Sequence, residues 1–164
     1  MASVVGIQIG WVACVLGAAR GHPWIGPAVV VVVVSDHVRR QPSKLPEIVV
    51  LSLSALVGFV VDTAFLRFGV FRIPRTMFAP PWLVALWPSF ATTTATSGPL
   101  SGLRGRPRLS VLFGAVGGPL AYAAGAHWRA IELSGHRAVA LAAIGVVWGV
   151  FVPALIALRT WEST

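Results

Sequence analysis

Asp62 lies in an apolar run, Ile48 to Leu66, that holds no other charged side chain and is about long enough to cross a bilayer. A carboxylate at such a depth either serves a proton or ligand path or is hydrogen-bonded to a neighbouring helix to fix the packing. At helical spacing its face carries Gly58, Ala55 and Ser54, and small residues mark the side on which helices approach closely, so the acid is expected to point inward. Counting from the same end of each apolar run brings Cys14, Trp24, Trp82, Trp87 and Tyr122 to similar depth, with Arg20 and His22 in the adjoining loop. A phenol hydroxyl or an indole N–H donates to a carboxylate without adding charge, which makes Tyr122 and one tryptophan the economical partners. Arg67 is the cationic alternative.

Other groups with chemical potential have structural readings beside them. Of the seven tryptophans, Trp24, Trp82, Trp128 and Trp161 suit an interfacial belt, whereas Trp11, Trp87 and Trp148 fall nearer mid-run, where each indole needs a partner or a bound ligand. The stretch Ser89 to Ser97, with Thr92, Thr93, Thr94 and Thr96, either lines an aqueous path or bonds back to its own helix. Gly114, Gly117, Gly118 and Pro119 admit a close neighbour and predict a kink. His22, His37, His127 and His136 are scattered near run ends, and no His-x-x-x-His or paired-carboxylate spacing supports a metal site. No Gly-x-Ser-x-Gly elbow occurs. Cys14 is the sole cysteine, so an intrachain disulfide and a thiolate cluster are excluded. These absences argue against an enzyme, although a lipid-active one would need only Tyr122, Asp62 and His22 to converge.

The elements that must position these residues follow from composition. The chain of 164 residues is 56% hydrophobic and 11% charged, with mean hydropathy +0.81; soluble domains carry roughly 25% charged residues. The expected fold is therefore all-α, a single polytopic transmembrane bundle over residues 1–164. Apolar runs predict about six spans: Ser3 to Ala19, Trp24 to Val38, Glu47 to Leu66, Pro81 to Ser97, Leu109 to Gly125 and Val139 to Leu158. The second reaches only ~22 Å at ~1.5 Å per residue and is expected to be short or re-entrant. No internal repeat stands out. The first stretch lacks a basic leader and is expected to be retained.

Net charge is +8, and the basic residues fall between apolar runs, a pattern for anionic headgroups rather than for nucleic acid. An even span count gathers Arg39, Arg40, Lys44, Arg104, Arg106, Arg108 and Arg159 on one side and the remaining arginines on the other. The tight clusters favour both termini in the cytoplasm.

Gly10-Trp11 with Cys14, Gly17 and Trp24-x-Gly26, Gly58 with Asp62, Ala79-x-x-Trp82 with Leu86-Trp87 and Phe90, and Gly114-x-x-Gly117-Gly118-Pro119 with Tyr122 and Gly125 span most of the chain. This set resembles an uncharacterised family of small bacterial inner-membrane proteins, a domain of unknown function. The resemblance implies a polytopic helical bundle and supplies no activity. Where that family continues after the threonines with a polar His-Ser type segment and a Trp, this chain has Thr96-Ser97-Gly98-Pro99.

The expected function is a non-catalytic inner-membrane protein, either an accessory or scaffolding subunit packing in a larger assembly or a holder of an apolar ligand such as lipid, quinone or pigment. A small-solute or proton-coupled transporter using Asp62 is the alternative. Asp62, Tyr122, Trp24, Trp82, Trp87 and His22 are the candidate ligand or coupling residues, with no cofactor otherwise evident. Membrane lipids and other membrane subunits are the expected partners.

Overall fold

A computed structural model describes residues 2–96 and 98–161. Six helices occupy the six apolar runs: α1 (Ala2–Ala19), α2 (Ile25–Arg39), α3 (Lys44–Arg67), α4 (Pro81–Ala91), α5 (Pro107–His127) and α6 (Arg137–Trp161). The fold is an all-α bundle. α3, α5 and α6 are long and apolar enough to cross a membrane, while α2 has 15 residues and α4 only 11.

α3 shows how the sequence selects a face. Its buried residues Glu47, Leu51, Ser54, Gly58, Asp62 and Phe65 recur at helical spacing, while Leu53, Leu56, Val57, Phe59 and Val60 are exposed. Exposed branched and aromatic side chains opposite a small-residue stripe are what a helix needs when its outer face meets hydrocarbon.

The fourth run departs from expectation. The apolar pattern predicts a span to Ser97, which lies outside the described residues, but α4 stops at Ala91. The hydroxyls of Thr92, Thr93 and Thr94 donate to the carbonyls of Ser89, Phe90 and Ala91 at 2.7, 2.6 and 2.8 Å, and the chain tightens into a 3₁₀ turn over Thr92–Thr94. Two guanidinium groups meet the carbonyl end of this short helix: Arg159 donates to Ala91 O and Arg104 to Thr94 O, both at 3.2 Å. Cations belong at a helix C-terminus, where the unpaired carbonyls carry partial negative charge. The expected kink at Pro119 does not interrupt α5, which is a continuous helix from Pro107 to His127.

An internal repeat, not evident in the sequence, relates α3 and α4 to α5 and α6. The segments after α3 and α5 form two-residue strands, β1 (Phe71–Arg72) and β2 (Glu132–Leu133), paired antiparallel with Arg72 opposite Glu132. Both helices end in the same way. Val70 N–H donates to Phe65 O and Ala130 N–H to Gly125 O, each at 2.9 Å, around left-handed residues Gly69 (φ 70°) and Arg129 (φ 63°). Gly58 and Asp62 stand at the same distances before Gly69 as Gly118 and Tyr122 before Arg129. In the following helices, Trp87-x-x-Phe90 answers Trp148-x-x-Phe151. The two indoles stack at 4.9 Å with planes 28° apart, and the two phenyl rings lie 6.4 Å apart. Equivalent residues thus meet across an approximate two-fold relation.

α1 and α2 complete the bundle as a hairpin against α4. Gly26 is seated so closely on α1 that a Cβ there would lie 2.3 Å from Cys14 Cα. Gly10 and Cys14 precede left-handed Gly21 (φ 80°) with the spacing just described, so all three odd-numbered helices carry glycine and an inward residue at matching positions.

Candidate functional site

Asp62 is fully buried, and both carboxylate oxygens are engaged by neutral donors. Trp87 Nε1–H donates to Oδ2 at 2.8 Å, and the Tyr122 hydroxyl donates to Oδ1. Three helices are thereby joined at one point. The geometry depends on Gly58, one turn before Asp62, where a Cβ would sit 2.2 Å from Trp87 Cγ; only glycine lets the indole lie flat on α3 and reach the acid. Gly118 seats Trp148 in the same way, at 2.4 Å from its Cγ. Phe65 and Phe71 pack on the Tyr122 ring at 6.4 and 5.6 Å, which holds the phenol in place.

The structure brings Asp62, Trp87 and Tyr122 together, and it does not bring the other candidates to the acid. Trp24 is 69% exposed at the start of α2, whose inner face begins with Gly26, and its indole is directed away from the bundle. His22 is exposed in the turn between α1 and α2, where its backbone carbonyl, not its ring, borders Gly17. The convergence of Tyr122, Asp62 and His22 is therefore not met. Arg67 is exposed, with its guanidinium 5.1 Å from the Phe78 ring centre. Trp82, expected at the interface, is buried. Cys14 is buried under Gly26.

Beside the acid lies a cavity of about 330 Å³ between α1, α4, α5 and α6. Trp11, Trp82, Trp87, Phe90, Tyr122 and Trp148 form much of its wall, and the glycines of α5 its floor. Its exposed lining residues, Gln8 on α1 and Phe113 on α5, mark the mouth. Ligand sites of this size are mostly apolar with a few placed polar groups. Ser89 and Trp148 line the cavity, but Ser89 Oγ and Trp148 Nε1 are themselves covered by protein, and Trp148 Nε1 lies within hydrogen-bonding reach of the Tyr122 hydroxyl.

A second polar cluster escaped the reading of single runs. Glu47 in the first turn of α3 and Arg159 near the end of α6 form a buried, doubly hydrogen-bonded ion pair, with Arg159 Nη2 2.8 Å from Oε1 and Nη1 on Oε2. His37 Nε2 lies 2.8 Å from the same Oε1, and Gln41 Nε2 lies 3.2 Å from His37 Nε2. Continuing the Asp62 stripe backwards at helical spacing reaches Glu47, which is the signal that could have exposed it. Asp36, beside His37, instead pairs with Arg40 on the exposed side of α2 at 3.0 Å. No group of three potential metal ligands occurs among the described residues.

Fold and site together define a class: an all-helical bundle with three helices long enough to cross a membrane, tied by a buried acid–phenol–indole cluster beside an aromatic cavity. The sequence matches the family described as protein of unknown function (DUF2878) over residues 1–154, and the chain belongs to that family. Neither the curated proteins nor the solved structures contain a match to it.

Proposed function

We propose that this chain is a non-catalytic polytopic protein of the bacterial inner membrane that holds an apolar ligand of the lipid, quinone or pigment class, as an accessory subunit of a larger membrane assembly. The observation that carries this reading is the aromatic cavity beside Asp62, about 330 Å³ in volume and apolar but for a few groups. The acid is the structural anchor of that cavity: by accepting from Trp87 and Tyr122 it fixes two of the rings that form the wall. Exposed apolar side chains on α3 and α5, such as Leu56, Val60, Leu112 and Leu120, supply surface for lipid or for neighbouring subunits. Gentle detergent extraction followed by native mass measurement tests the proposal. A retained apolar molecule or protein partner is expected, and a strictly monomeric particle with nothing bound contradicts it.

The transporter reading keeps one observation in its favour, a buried carboxylate met by neutral donors rather than by a cation. It requires that Asp62→Asn abolish flux in reconstituted vesicles while the protein folds normally. Unchanged flux removes it.

A further inference from the structure

The repeat singles out a side chain that neither the packing nor the acid cluster uses. Gln8 stands two residues before Gly10, as Leu56 stands before Gly58 and Val116 before Gly118. Leu56 and Val116 are exposed aliphatic residues, each within a residue of the midpoint of its helix. In a bilayer crossed by α3 and α5 that level is deep hydrocarbon. Gln8 is exposed as well, and its carboxamide makes no hydrogen bond among the described residues. An amide at such depth is costly without a partner, and polar side chains within spans mark binding sites and pathways. Gln8 differs from its two equivalents in place as well as in type: it lines the cavity at its mouth, and they do not line it.

We infer that Gln8 is the polar contact of the cavity and that the ligand is a neutral lipid with an uncharged hydroxyl or carbonyl group, admitted sideways from the bilayer interior. The inference rests on the proposed ligand-holding function and names the class of its ligand. A carboxamide both donates and accepts, so it satisfies a hydroxyl or a carbonyl oxygen, and it carries no charge to offset a phosphate. The exposed neighbours of the mouth, Ile9 and Val12 on α1 and Leu112 and Val116 on α5, are aliphatic, so the opening faces hydrocarbon rather than water. A phospholipid would have to carry its ionised headgroup to that depth, at a cost far above that of a hydroxyl or carbonyl.

Leucine, the residue at the equivalent place in α3, is the informative substitution. Gln8→Leu exchanges an exposed amide for an exposed aliphatic side chain and should leave the melting temperature unchanged. Gly117→Leu instead fills the cavity, since a Cβ at Gly117 would meet only Phe113 Cε1, at 3.9 Å. The experiment titrates the full-length chain in detergent with dioleoylglycerol, a decyl-substituted benzoquinone, squalene and phosphatidylglycerol, read by tryptophan quenching, with each variant checked by thermal melting. Saturable binding of dioleoylglycerol or the quinone, one per chain, is expected, weakened more than ten-fold by Gly117→Leu and roughly two- to ten-fold by Gln8→Leu. Squalene has no polar group, and its binding should not respond to Gln8→Leu. Equal effects of Gln8→Leu on squalene and the polar lipids, or no effect on any, overturn the assignment of Gln8 while an apolar ligand in the cavity stands. Tighter binding of phosphatidylglycerol than of either neutral lipid overturns the uncharged class. A wild-type dimer that Gln8→Leu converts to monomers places a second copy on the amide and overturns the inference, as does a lowered melting temperature, which would show the amide bonded within the chain. Binding indifferent to Gly117→Leu, or none at all, overturns both this inference and the function on which it rests.

Discussion

Asp62 and Glu47 are both buried carboxylates on the same face of α3, and they answer burial in opposite ways. Glu47 is neutralised by Arg159, whereas Asp62 is met by two neutral donors. Their substitution should separate these solutions. Asp62→Ala leaves the Trp87 N–H and the Tyr122 hydroxyl without acceptors and should cost about 2–5 kcal/mol, while in Asp62→Asn the phenol can turn to accept and the loss should be about 1 kcal/mol, both measurable by unfolding in detergent. Equal losses would show that the charge, not the hydrogen bonds, holds the site. Glu47→Met or Arg159→Met alone breaks a buried, doubly hydrogen-bonded ion pair and should cost about 3–5 kcal/mol, with the double substitution well below the sum. Strict additivity in that cycle would contradict a coupled pair.

Single glycines decide how closely the helices meet. A Cβ at Gly114 would lie 2.1 Å from Trp148 O, and one at Gly58 2.2 Å from Trp87 Cγ, so alanine at either position forces α5 from α6, or Trp87 from α3, with an expected loss above about 2 kcal/mol. Gly117→Ala, on the same helix as Gly114 but facing the cavity, should be neutral or stabilise by up to about 1 kcal/mol through helix propensity alone. Thermal melts of the three variants check the contrast; destabilisation by Gly117→Ala would show that the cavity is closed in solution. How much of this was legible in the sequence varies by element. The runs of α3, α5 and α6 were plain because apolar composition and length suffice for them. The end of α4 was not, since the apolar count ignores threonine hydroxyls that draw the chain into a 3₁₀ turn. Tyr122 and a tryptophan were readable as partners of Asp62 from depth and donor chemistry, but depth could not reject Trp24 and His22, which requires knowing which way α2 turns. The repeat stayed hidden because its halves share little beyond glycines and Trp-x-x-Phe, with an acid in one half where the other has a phenol. That difference is functional in packing terms: across a two-fold relation, identical acids would repel, while an acid and a phenol form a hydrogen bond.

The whole molecule places its charged ends apart. Glu47–Arg159 joins the start of α3 to the end of α6, and Arg104 reaches Thr94 in the loop before α5, whereas β1 and β2 lie at the far ends of α3 and α5. We propose that in a membrane the turns at 20–24, 68–80 and 128–136 share one side and those at 40–43 and 98–106 the other. Because Cys14 is the only cysteine, a Cys14→Ala background with single cysteines at Arg40, Arg75 and Arg104 reports sidedness to a membrane-impermeant maleimide. Arg40 and Arg104 positions should label together and Arg75 from the opposite side; any other pattern contradicts the topology. The core of α3 to α6, with α1 closing one side, leaves a cavity between α1, α4, α5 and α6. The most direct test compares the native mass of gently extracted wild-type chain with that of Gly117→Leu. The account predicts one retained apolar molecule per wild-type chain and none in the variant, with both melting at similar temperature. A bare wild-type chain, or the same molecule retained equally by both, would contradict it.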